Sequence, residues 1–391
     1  MAHSKKQYLL AALILSCFAA RAEAVFFADK FPQPGIVRDK VKFWQHVFYH
    51  YDSMATLVHD THRVDLVLDV INFRAPRYQA PSSPRMSWAQ RQREAHRYVK
   101  RYRQAIKRFK RYRLRARKFG KIEERVYQVY RNDLDRLLNK HVSLRSQTGL
   151  RDSFMQAIQR AKPYMSHMEA IFKQHRLPKE LVRLTFVESM FNYKAKSKVG
   201  AAGVWQFMPA TAREFMHLNT LVDERISPLK ATNAAAKLLR RNHRKFNSYP
   251  LAITAYNQGA GNIGKAVRTL NTKNLDTIIR KYRGRSFGFA GRNFYSEFLA
   301  ASMVYRILKD KPEVAHDPKP LALVALRLPK QVSVSRLIRK TSLDKGVLSK
   351  YNPCFNKKAF TSKSNANLPP YYEIYVPSRI ATKVRNEVRN I

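Results

Sequence analysis

The chain is poor in cysteine, in acidic residues and in long apolar runs. Its 391 residues contain only two cysteines, Cys17 and Cys354, which excludes a disulfide framework and a cysteine metal cluster. Asp and Glu number 27 against 75 Lys and Arg, so the formal net charge is +48. This excess predicts an anionic partner or surface, and nucleic acid, anionic lipid and anionic cell-wall polymer all satisfy that description.

The one long apolar run lies at the N-terminus and has the pattern of a secretory signal peptide. Lys5 and Lys6 precede an apolar stretch over 8–20, and Ala22-Glu23-Ala24 supplies a small-x-small cleavage pattern. The run is too short for a comfortable membrane span, and no later segment fits one. We therefore predict an exported protein, periplasmic or secreted, with no transmembrane helix in the mature chain.

A second processing pattern overlaps the first. Residues 14–17, Ile-Leu-Ser-Cys, resemble the lipobox of bacterial lipoproteins, which would make Cys17 the lipidated N-terminus of an outer-membrane lipoprotein. The well-formed site at Ala22 and Ala24 favours soluble export over this alternative. Cleavage after Ala24 leaves Cys354 as the single cysteine, so no intrachain disulfide is expected.

A long basic amphipathic helix is predicted over residues 88–119, which contain neither Gly nor Pro. Val99, Tyr102, Ile106 and Phe109 recur at helical spacing, while Arg and Lys cover most of the remaining surface. The helix is either a surface that binds an anionic wall or membrane, or a scaffold whose charge is only solvated. A second helical stretch follows Gly120, and its candidate core residues are Val126, Val129, Leu134 and Leu137.

The chain divides by composition into four parts. A signal peptide (1–24) precedes a basic, mostly helical region (25–150), and a domain of ordinary composition with successive helical patterns follows (151–310). The last part (311–391) has strand-like runs at 322–328 and 371–376, with helical patterns near 334–340 and 343–350 between them. The predicted fold class is therefore α+β, predominantly α, with a small β-α-α-β module at the end.

Glu188 is the candidate catalytic residue. It follows an apolar run near a helix end, and a carboxyl group that loses hydration resists ionisation. A raised pKa would let Glu188 donate a proton to a glycosidic oxygen near neutral pH. A Glu that merely caps a helix or pairs at the surface is the structural alternative.

Two Gly-containing clusters complete the candidate site. Gly200 and Gly203 allow a ligand to approach the backbone closely, and the aromatic residues Trp205 and Phe207 suit a groove that grips sugar rings. A later cluster, 255–261, likewise combines polar side chains with glycines that leave the backbone accessible to a ligand. Its polar residues are Tyr256 and Asn257, and its glycines are Gly259 and Gly261.

These clusters resemble the catalytic domain of the soluble-type lytic transglycosylases, glycoside hydrolase family 23, over about residues 150–305. That family has Glu-Ser, then Ser-x-x-Gly-Ala-x-Gly-x-x-Gln-x-Met-Pro-x-Thr-Ala, and later Ala-Tyr-Asn-x-Gly-x-Gly. The first motif is matched by Glu188, Ser189, Ser197, Gly200, Ala201, Gly203, Gln206, Met208, Pro209, Thr211 and Ala212. The second motif is matched by Ala255, Tyr256, Asn257, Gly259 and Gly261.

The resemblance implies a helix-rich, lysozyme-like fold that cleaves peptidoglycan glycan strands without a cofactor or a metal. Glu188 would be the sole acid/base: it would protonate the leaving oxygen and then take a proton from the C6 hydroxyl of the same muramic acid. The product would carry a 1,6-anhydro end. Residues implied at the substrate are Ser189, Ser197, Gly203, Gln206, Met208, Tyr256 and Asn257.

The third cluster, 291–301, departs from the family pattern. The family has a Tyr near the start of this helix, hydrogen-bonded to the catalytic Glu, whereas an ungapped alignment places Phe294 there and Tyr295 next to it. One residue is about 100° of helix rotation. Tyr295 is retained as a site candidate through a shifted helix start. No second carboxylate falls within the first two motifs except Glu214, which is predicted on another helix.

The C-terminal module resembles a degenerate lysin-motif module. The matching segments are 334–338, 348–353 and 373–377, and the usual Gly-Asp turn is missing. The resemblance implies binding of N-acetylglucosamine-containing glycan, and a purely structural α/β cap is the alternative.

The sequence as a whole predicts a peptidoglycan lytic transglycosylase. A muramidase that hydrolyses the same bond on the same fold is the first alternative. A non-catalytic protein that binds cell wall or another polyanion through the basic helix is the second. Nucleic acid is not expected as a partner, because the signal peptide directs the chain out of the cytoplasm.

Overall fold

The computed structural model describes residues 29–78, 86–112, 120–314, 319–361 and 367–391. The predicted signal peptide and Cys17 lie outside these ranges. These residues are mostly helical and contain two small sheets, which confirms the predominantly α, α+β class. Within the described ranges, no helix combines the length and the apolar character that a membrane span requires.

The N-terminal region contains a sheet that the sequence reading missed. Helix α1 (Gly35–Gln45) continues as a π-helical turn (His46–His50) and leads into strands β1 (Ala55–Asp60) and β2 (Val67–Asn72). Strand β3 (Leu144–Thr148) completes an antiparallel sheet in the order β2-β1-β3. Every residue of β1 is buried, including polar Thr56, His59 and Asp60. The strand therefore lacks the alternation of apolar and polar residues that marks a half-buried strand.

The basic helix packs on this sheet. Helix α2 (Trp88–Tyr112) buries Val99, Tyr102, Ile106 and Phe109 against a core shared with β1 and β2, as the periodicity predicted. The predicted extension over 113–119 lies outside the described residues. Two short helices follow, α3 (Lys121–Tyr130) and α4 (Leu134–Asn139). Of the four core candidates there, Val126 and Leu137 are buried, Val129 is half-buried and Leu134 is exposed.

The central part of the chain is a helical domain. Helix α5 (Arg151–Gln174) precedes a 3₁₀ turn (Lys179–Arg183), and α6 (Leu184–Ser189) follows it directly. The next elements are α7 (Pro209–Arg213), a 3₁₀ turn (Glu224–Ile226), α8 (Pro228–Phe246), α9 (Tyr249–Gln258), α10 (Ala260–Leu270), α11 (Leu275–Lys281) and α12 (Phe289–Leu308). Helix α12 is largely buried and packs against α6 and α9.

Helix α1 belongs to the same core, although the sequence placed it in a separate N-terminal region. Ile36, Val37, Val41 and Trp44 join the apolar cluster that contains α12. Apolar periodicity shows that α1 has a buried face but not which partner covers it. The N-terminal region therefore completes the helical domain, and α1 carries its polar side chains to the face of α12.

The C-terminal module has the predicted β-α-α-β order. Strands β4 (Leu323–Arg327) and β5 (Glu373–Pro377) pair antiparallel, with helices α13 (Val334–Lys340) and α14 (Lys345–Tyr351) between them. A 3₁₀ turn (Lys357–Phe360) precedes β5, and a second one (Ser378–Ile380) leads into an unpredicted last helix, α15 (Ala381–Arg389). The module docks through buried Cys354, whose carbonyl accepts from the Asp223 N–H at 2.9 Å. Its glycan-binding role stays a prediction.

Candidate active site

Glu188 lies one residue before the end of the short helix α6. Buried Leu184, Thr185 and Phe186 anchor the helix in the core, and Glu188 itself is half-buried at the surface of the domain. The helix ends abruptly because Met190 (φ 48°) and Phe191 (φ 54°) both adopt the left-handed conformation. The left-handed conformation is unfavourable for non-glycine residues, and residues that adopt it are enriched at functional sites. The sharp turn fixes where the Glu188 carboxyl can point.

The Glu188 carboxyl keeps its proton at neutral pH. Burial, followed by the negative charge of Glu297, raises the pKa of Glu188 from 4.5 to about 8. A carboxylic acid with a pKa near the working pH is well matched to general acid catalysis. The environment that the sequence predicted for Glu188 is therefore present.

Ser189, Ser197 and Gln206 hold the loop that faces Glu188. Ser189 Oγ donates to the Val204 carbonyl at 3.1 Å, which ties α6 to that loop. Ser197 Oγ accepts from the Ala201 N–H at 2.9 Å. Gln206 has a positive φ of 47°, and its Nε2 donates to the Gly203 carbonyl at 2.8 Å. These three side chains are thus engaged in shaping the loop in this structure.

The backbone packed against position 203 requires a glycine there. Its φ is 78°, and a Cβ placed on it would lie 1.7 Å from the Arg225 carbonyl oxygen. The close approach of the two backbones leaves room for glycine alone. Met208, by contrast, lies at the end of the loop with 42% of its surface exposed, so a ligand can contact it.

A buried ion pair that the sequence reading missed supports this loop. Arg225 Nη2 lies 2.9 Å from Asp223 Oδ2, and Arg225 Nη1 donates to the carbonyls of Gly200 (2.8 Å) and Phe207 (3.2 Å). Buried guanidinium groups need such partners for every donor. Asp223 is two residues from Arg225, but the two carbonyls that tie Arg225 to this loop are 18 and 25 residues away, so the local sequence does not show this role.

Trp205 and Phe207 do not line the groove, which corrects the expectation that their rings grip sugar. Trp205 is 0% exposed, its Nε1 donates to Thr232 Oγ1 at 2.9 Å, and its ring stacks on Phe172. Phe207 is buried as well. Both rings pack beneath Tyr256, at 6.0 Å between ring centroids, and so form the floor of the site.

Tyr256 is the tyrosine that the structure places with Glu188. Its hydroxyl donates to the Trp205 carbonyl at 2.8 Å, and burial together with the Glu188 charge raises its pKa well above 10. Tyr256 is therefore neutral at the pH at which Glu188 carries its proton. Asn257 beside it is exposed, with its Oδ1 accepting from Gln258 Nε2.

The glycines of the second motif border open space. Neither Gly259 nor Gly261 has any atom within 4 Å of the position that a Cβ would take. The backbone at the start of α10 is thus accessible next to Tyr256. This arrangement suits a polymer lying across the site, since a sugar chain needs close backbone approach along a groove.

Tyr295 lies elsewhere, which corrects its selection as a site residue. Its side chain is buried, and its hydroxyl donates to the Pro32 carbonyl at 3.0 Å. It lines a separate cavity of about 410 Å³ between the 29–37 segment and the start of α9. The helix starts at Phe289, and the neighbouring Phe294 is buried too.

Glu297 is a second carboxyl group at the site, and the sequence reading overlooked it. It is half-buried on α12, and its charge acts on Glu188. Burial raises the pKa of Glu297 to about 8, while Lys40 and Arg145 oppose that rise. Glu297 lies in the third cluster, outside the two motifs in which Glu214 was the only further carboxylate. The available signal was an acidic residue within the mostly apolar 294–301 run.

The family comparison places this site within a known domain. Residues 165–279 match the family model described as Transglycosylase SLT domain. That range contains Glu188, the Gly200–Met208 loop and Tyr256, whereas Glu297 lies beyond it.

Individual relatives agree with this match. The chain is 36% identical over 120 residues to membrane-bound lytic murein transglycosylase D of Escherichia coli (strain K12), which covers 30% of this chain and 26% of that protein. It is 32% identical over 116 residues to a putative tributyltin chloride resistance protein of Alteromonas sp. (strain M-1), a match that covers 29% of this chain and 56% of that protein. It is 42% identical over 90 residues to peptidoglycan transglycosylase gp16 of Escherichia phage T7, a match that covers 22% of this chain and 7% of that protein. The chain thus spans about a quarter of the length of the first of these relatives.

Among solved structures, the 70 kDa soluble lytic transglycosylase of Escherichia coli shares 22% identity at a TM-score of 0.30, covering 37% of this chain and 25% of that one. Lytic transglycosylase Slt of Pseudomonas aeruginosa shares 22% identity at a TM-score of 0.31, covering 49% and 28%.

Proposed function

We propose that this protein is a peptidoglycan lytic transglycosylase. It cleaves the β-1,4 bond between N-acetylmuramic acid and N-acetylglucosamine and leaves a 1,6-anhydromuramic end. The observation that carries the proposal is the half-buried carboxyl group of Glu188, whose pKa burial raises to about 8, together with Tyr256 and the open backbone of Gly259 and Gly261 that follows it in the chain. The match of residues 165–279 to the Transglycosylase SLT domain supports the assignment.

The reaction needs a single acid/base residue, which first donates a proton and then accepts one. Protonated Glu188 gives its proton to the glycosidic oxygen as the bond from C1 to that oxygen breaks. The resulting Glu188 carboxylate takes the proton of the C6 hydroxyl while that oxygen bonds to C1, which restores the acid. An internal nucleophile has a large proximity advantage, so no water molecule has to be positioned.

The remaining site residues take supporting roles in this proposal. Met208 and Asn257 are exposed and contact the saccharide, and Tyr256 does so from its place beside Glu188. Ser189, Ser197, Gly203 and Gln206 hold the loop against which the glycan lies. The C-terminal module contributes glycan binding outside the groove, and the enzyme acts outside the cytoplasm.

Product mass tests the proposed reaction. Sacculi digested by the purified protein should yield muropeptides that are lighter by one water than the reducing-end products of a hydrolase, because the C6 hydroxyl replaces water as the nucleophile. The measurement is mass spectrometry of the soluble products without borohydride reduction. A parallel digest with a known muramidase supplies full-mass standards. Products of full mass would contradict the lytic reaction.

A muramidase is the second candidate, and Glu297 is the observation that favours it. Glycoside hydrolases ordinarily use two carboxyl groups, one as acid and one as base or nucleophile. A hydrolase would use ionised Glu297 to activate water, and its products would then have full mass. The mass measurement therefore decides between the two reactions.

The exposed face of α2 is proposed to hold the enzyme on an anionic wall or membrane surface. Arg93, Lys100 and Lys107 are exposed on this helix, away from its buried stripe. Replacing all three with Gln should weaken binding to sacculi about ten-fold at low salt and much less at about 0.5 M salt, because salt screens exposed charges. Co-sedimentation at the two salt concentrations measures the effect.

A matched variant controls for the loss of net charge. Lys237, Arg244 and Lys245 are exposed on α8, and their replacement by Gln removes the same number of charges from another helix. We expect this variant to bind nearly as the wild type does. Equal weakening by both variants, or weakening of the α2 variant that salt does not change, would remove the role assigned to α2.

A further inference from the structure

We propose that a basic cleft between the N-terminal region and the helical domain is a binding site for a phosphate monoester, held by Lys40, Arg283 and Arg292. The ester is either a soluble molecule or part of a lipid headgroup, and both present the same phosphate. No residue of the candidate active site is among the described residues that line the cleft. The proposal therefore does not depend on the reaction at Glu188.

The basic cleft is a cavity of about 330 Å³ bounded by α1, α4, the end of α11 and the start of α12. Seven Lys and Arg side chains line it, and Asp133 is the only carboxylate among the described residues that do so. Sites for small ligands have volumes of about 300–1,000 Å³. The cleft therefore has room for a phosphate group together with part of the molecule that carries it.

Four of the seven lining cations already have carboxylate partners. Five aspartates supply these partners, so the seven cations exceed the paired carboxylates by two formal charges. The pairs are Arg63 with Asp65 and Asp133, Arg136 with Asp60, Lys140 with Asp135, and Arg280 with Asp276.

Lys40 lies at the floor of the basic cleft, because only 1% of its surface is exposed. Its Nζ donates to Asn293 Oδ1 at 3.1 Å and to the His62 carbonyl at 3.4 Å. An ammonium group has three protons to donate, and the third has no acceptor among the residues that the structure describes. Burial of a cation without an anionic partner is costly. An anion bound in the cleft would supply the partner that the chain itself does not.

Arg292 and Arg283 present two further cations that no carboxylate within the described ranges neutralises. Arg292 donates to the carbonyls of Tyr282 at 2.6 Å and Phe287 at 3.2 Å. Arg283, which is exposed at the mouth, donates through Nη1 to the carbonyls of Arg280 at 2.6 Å and Tyr282 at 3.3 Å. These backbone contacts hold both guanidinium groups in place without cancelling their charge. Each group has five N–H donors, so donors remain for a ligand.

The pKa values of these groups agree with an excess of positive charge. Burial lowers the pKa of Lys40 to about 8, and the charge of Arg292 contributes to the lowering. Burial, followed by the charge of Arg283, lowers the pKa of Arg292. Lys40 is still mostly protonated at pH 7. His62, at the same wall, adds no charge at that pH, because burial lowers its pKa below 6.5. A bound anion would relieve the repulsion among the three cations.

The charge balance favours phosphate over a carboxylate. A phosphate monoester carries about −1.5 to −2 charges at pH 7 and has three acceptor oxygens, whereas a carboxylate carries one charge. The formal excess in the basic cleft is two positive charges. One ammonium and two guanidinium groups also suit phosphate, because guanidinium groups bind its oxygens in pairs.

Isothermal titration calorimetry of the full-length mature protein with inorganic phosphate, at constant ionic strength, tests the proposal. We expect saturable binding at one site per chain. Lys40→Gln removes the cation at the floor and Arg283→Gln removes the one at the mouth. Each should weaken binding about ten-fold or more, since a hydrogen bond to a charged group contributes about 1.5–3 kcal/mol. Arg285→Gln removes an exposed cation that does not line the cleft, and should change the affinity less than about two-fold.

Several results would overturn the proposal. These are an absence of saturable phosphate binding, equal weakening by Arg283→Gln and Arg285→Gln, and binding of acetate as tight as that of phosphate. The last result would make the cleft a carboxylate site. Arg283 is exposed, so its variant is expected to fold and decides the matter if Lys40→Gln does not.

Two further probes distinguish the sources of the phosphate. Glycerol 3-phosphate represents a soluble ester, and vesicles of phosphatidylcholine with a minor fraction of phosphatidic acid represent a lipid. If the ligand is soluble, glycerol 3-phosphate should bind at least as tightly as inorganic phosphate, and Arg283→Gln should weaken that binding. If the ligand is a lipid, Arg283→Gln should reduce co-flotation with the vesicles at about 0.15 M salt more than Arg285→Gln does. If neither probe requires Arg283, the proposal is overturned.

Discussion

Replacement of Glu188 by Gln is expected to lower the rate of sacculus digestion by about 10³-fold or more. Gln matches Glu in shape but has no proton to give to the leaving oxygen and no carboxylate to take one from the C6 hydroxyl, so both halves of the reaction lose their catalyst. The measurement is the release of soluble muropeptides over time. Retention of more than about a tenth of the wild-type rate would remove Glu188 from the role of acid/base.

The folding stability of this variant serves as its internal control. The pKa of Glu188 is raised in the folded protein, from 4.5 to about 8. The folded state therefore binds the proton more tightly than the unfolded state, and the stability of wild type falls as the pH rises from about 4.5 to about 8. Gln does not ionise, so Glu188→Gln should unfold at the same temperature as wild type or higher at pH 7. Glu214→Gln, which changes an exposed carboxylate paired with Arg241, should leave digestion unchanged.

Replacement of Gly203 by Ala is expected to destabilise the fold by about 3 kcal/mol or more. The new Cβ would lie 1.7 Å from the Arg225 carbonyl oxygen, at a φ of 78° that alanine rarely adopts. Relief of that clash moves the loop that carries Gln206 and Met208 or displaces the Arg225–Asp223 pair. Urea unfolding followed by circular dichroism measures the loss, and digestion of sacculi should fall with it.

Gly261→Ala is the matched control for this substitution. No atom lies within 4 Å of the position of its Cβ. We expect its stability to stay within about 1 kcal/mol of wild type, because an unstrained Gly-to-Ala change mainly restricts the unfolded chain. If Gly203→Ala proved as stable as Gly261→Ala, the close approach between Gly203 and Arg225 would be refuted.

The parts of the site that the sequence predicted are those encoded locally. Glu188, Met208 and Tyr256 lie in short motifs whose spacing is itself the signal, and a half-buried carboxyl near a helix end follows from the apolar run before it. The strands and helices of the C-terminal module were predicted for the same reason, since each has its own periodicity. The apolar stripe of α2 was likewise visible from Val99 to Phe109.

The parts that the sequence did not predict depend on long-range packing. Strand β1 is buried on both faces, so it has no alternating pattern, and α1 gave no indication that its partner is α12. Trp205 was expected in the groove because the sequence alone does not distinguish an aromatic ring that contacts sugar from one that fills the core. Glu297 lies outside both motifs and becomes informative only when α12 is packed against α6.

The same packing explains why Tyr295 was selected in error. Sequence adjacency to Phe294 made it a candidate, but the phase of α12 turns its hydroxyl to the Pro32 carbonyl, while Asn293 accepts from Lys40 of α1. Tyr256, which comes from a different helix, is the tyrosine whose pKa the charge of Glu188 raises.

Digestion of sacculi in water enriched with ¹⁸O tests most directly whether Glu188 serves an internal hydroxyl rather than a water molecule. The new muramic ends released by wild type should carry the anhydro mass and no ¹⁸O, because the oxygen that bonds to C1 comes from the same sugar. Reducing ends that contain ¹⁸O would show that water is the nucleophile and would contradict the lytic reaction proposed for this site.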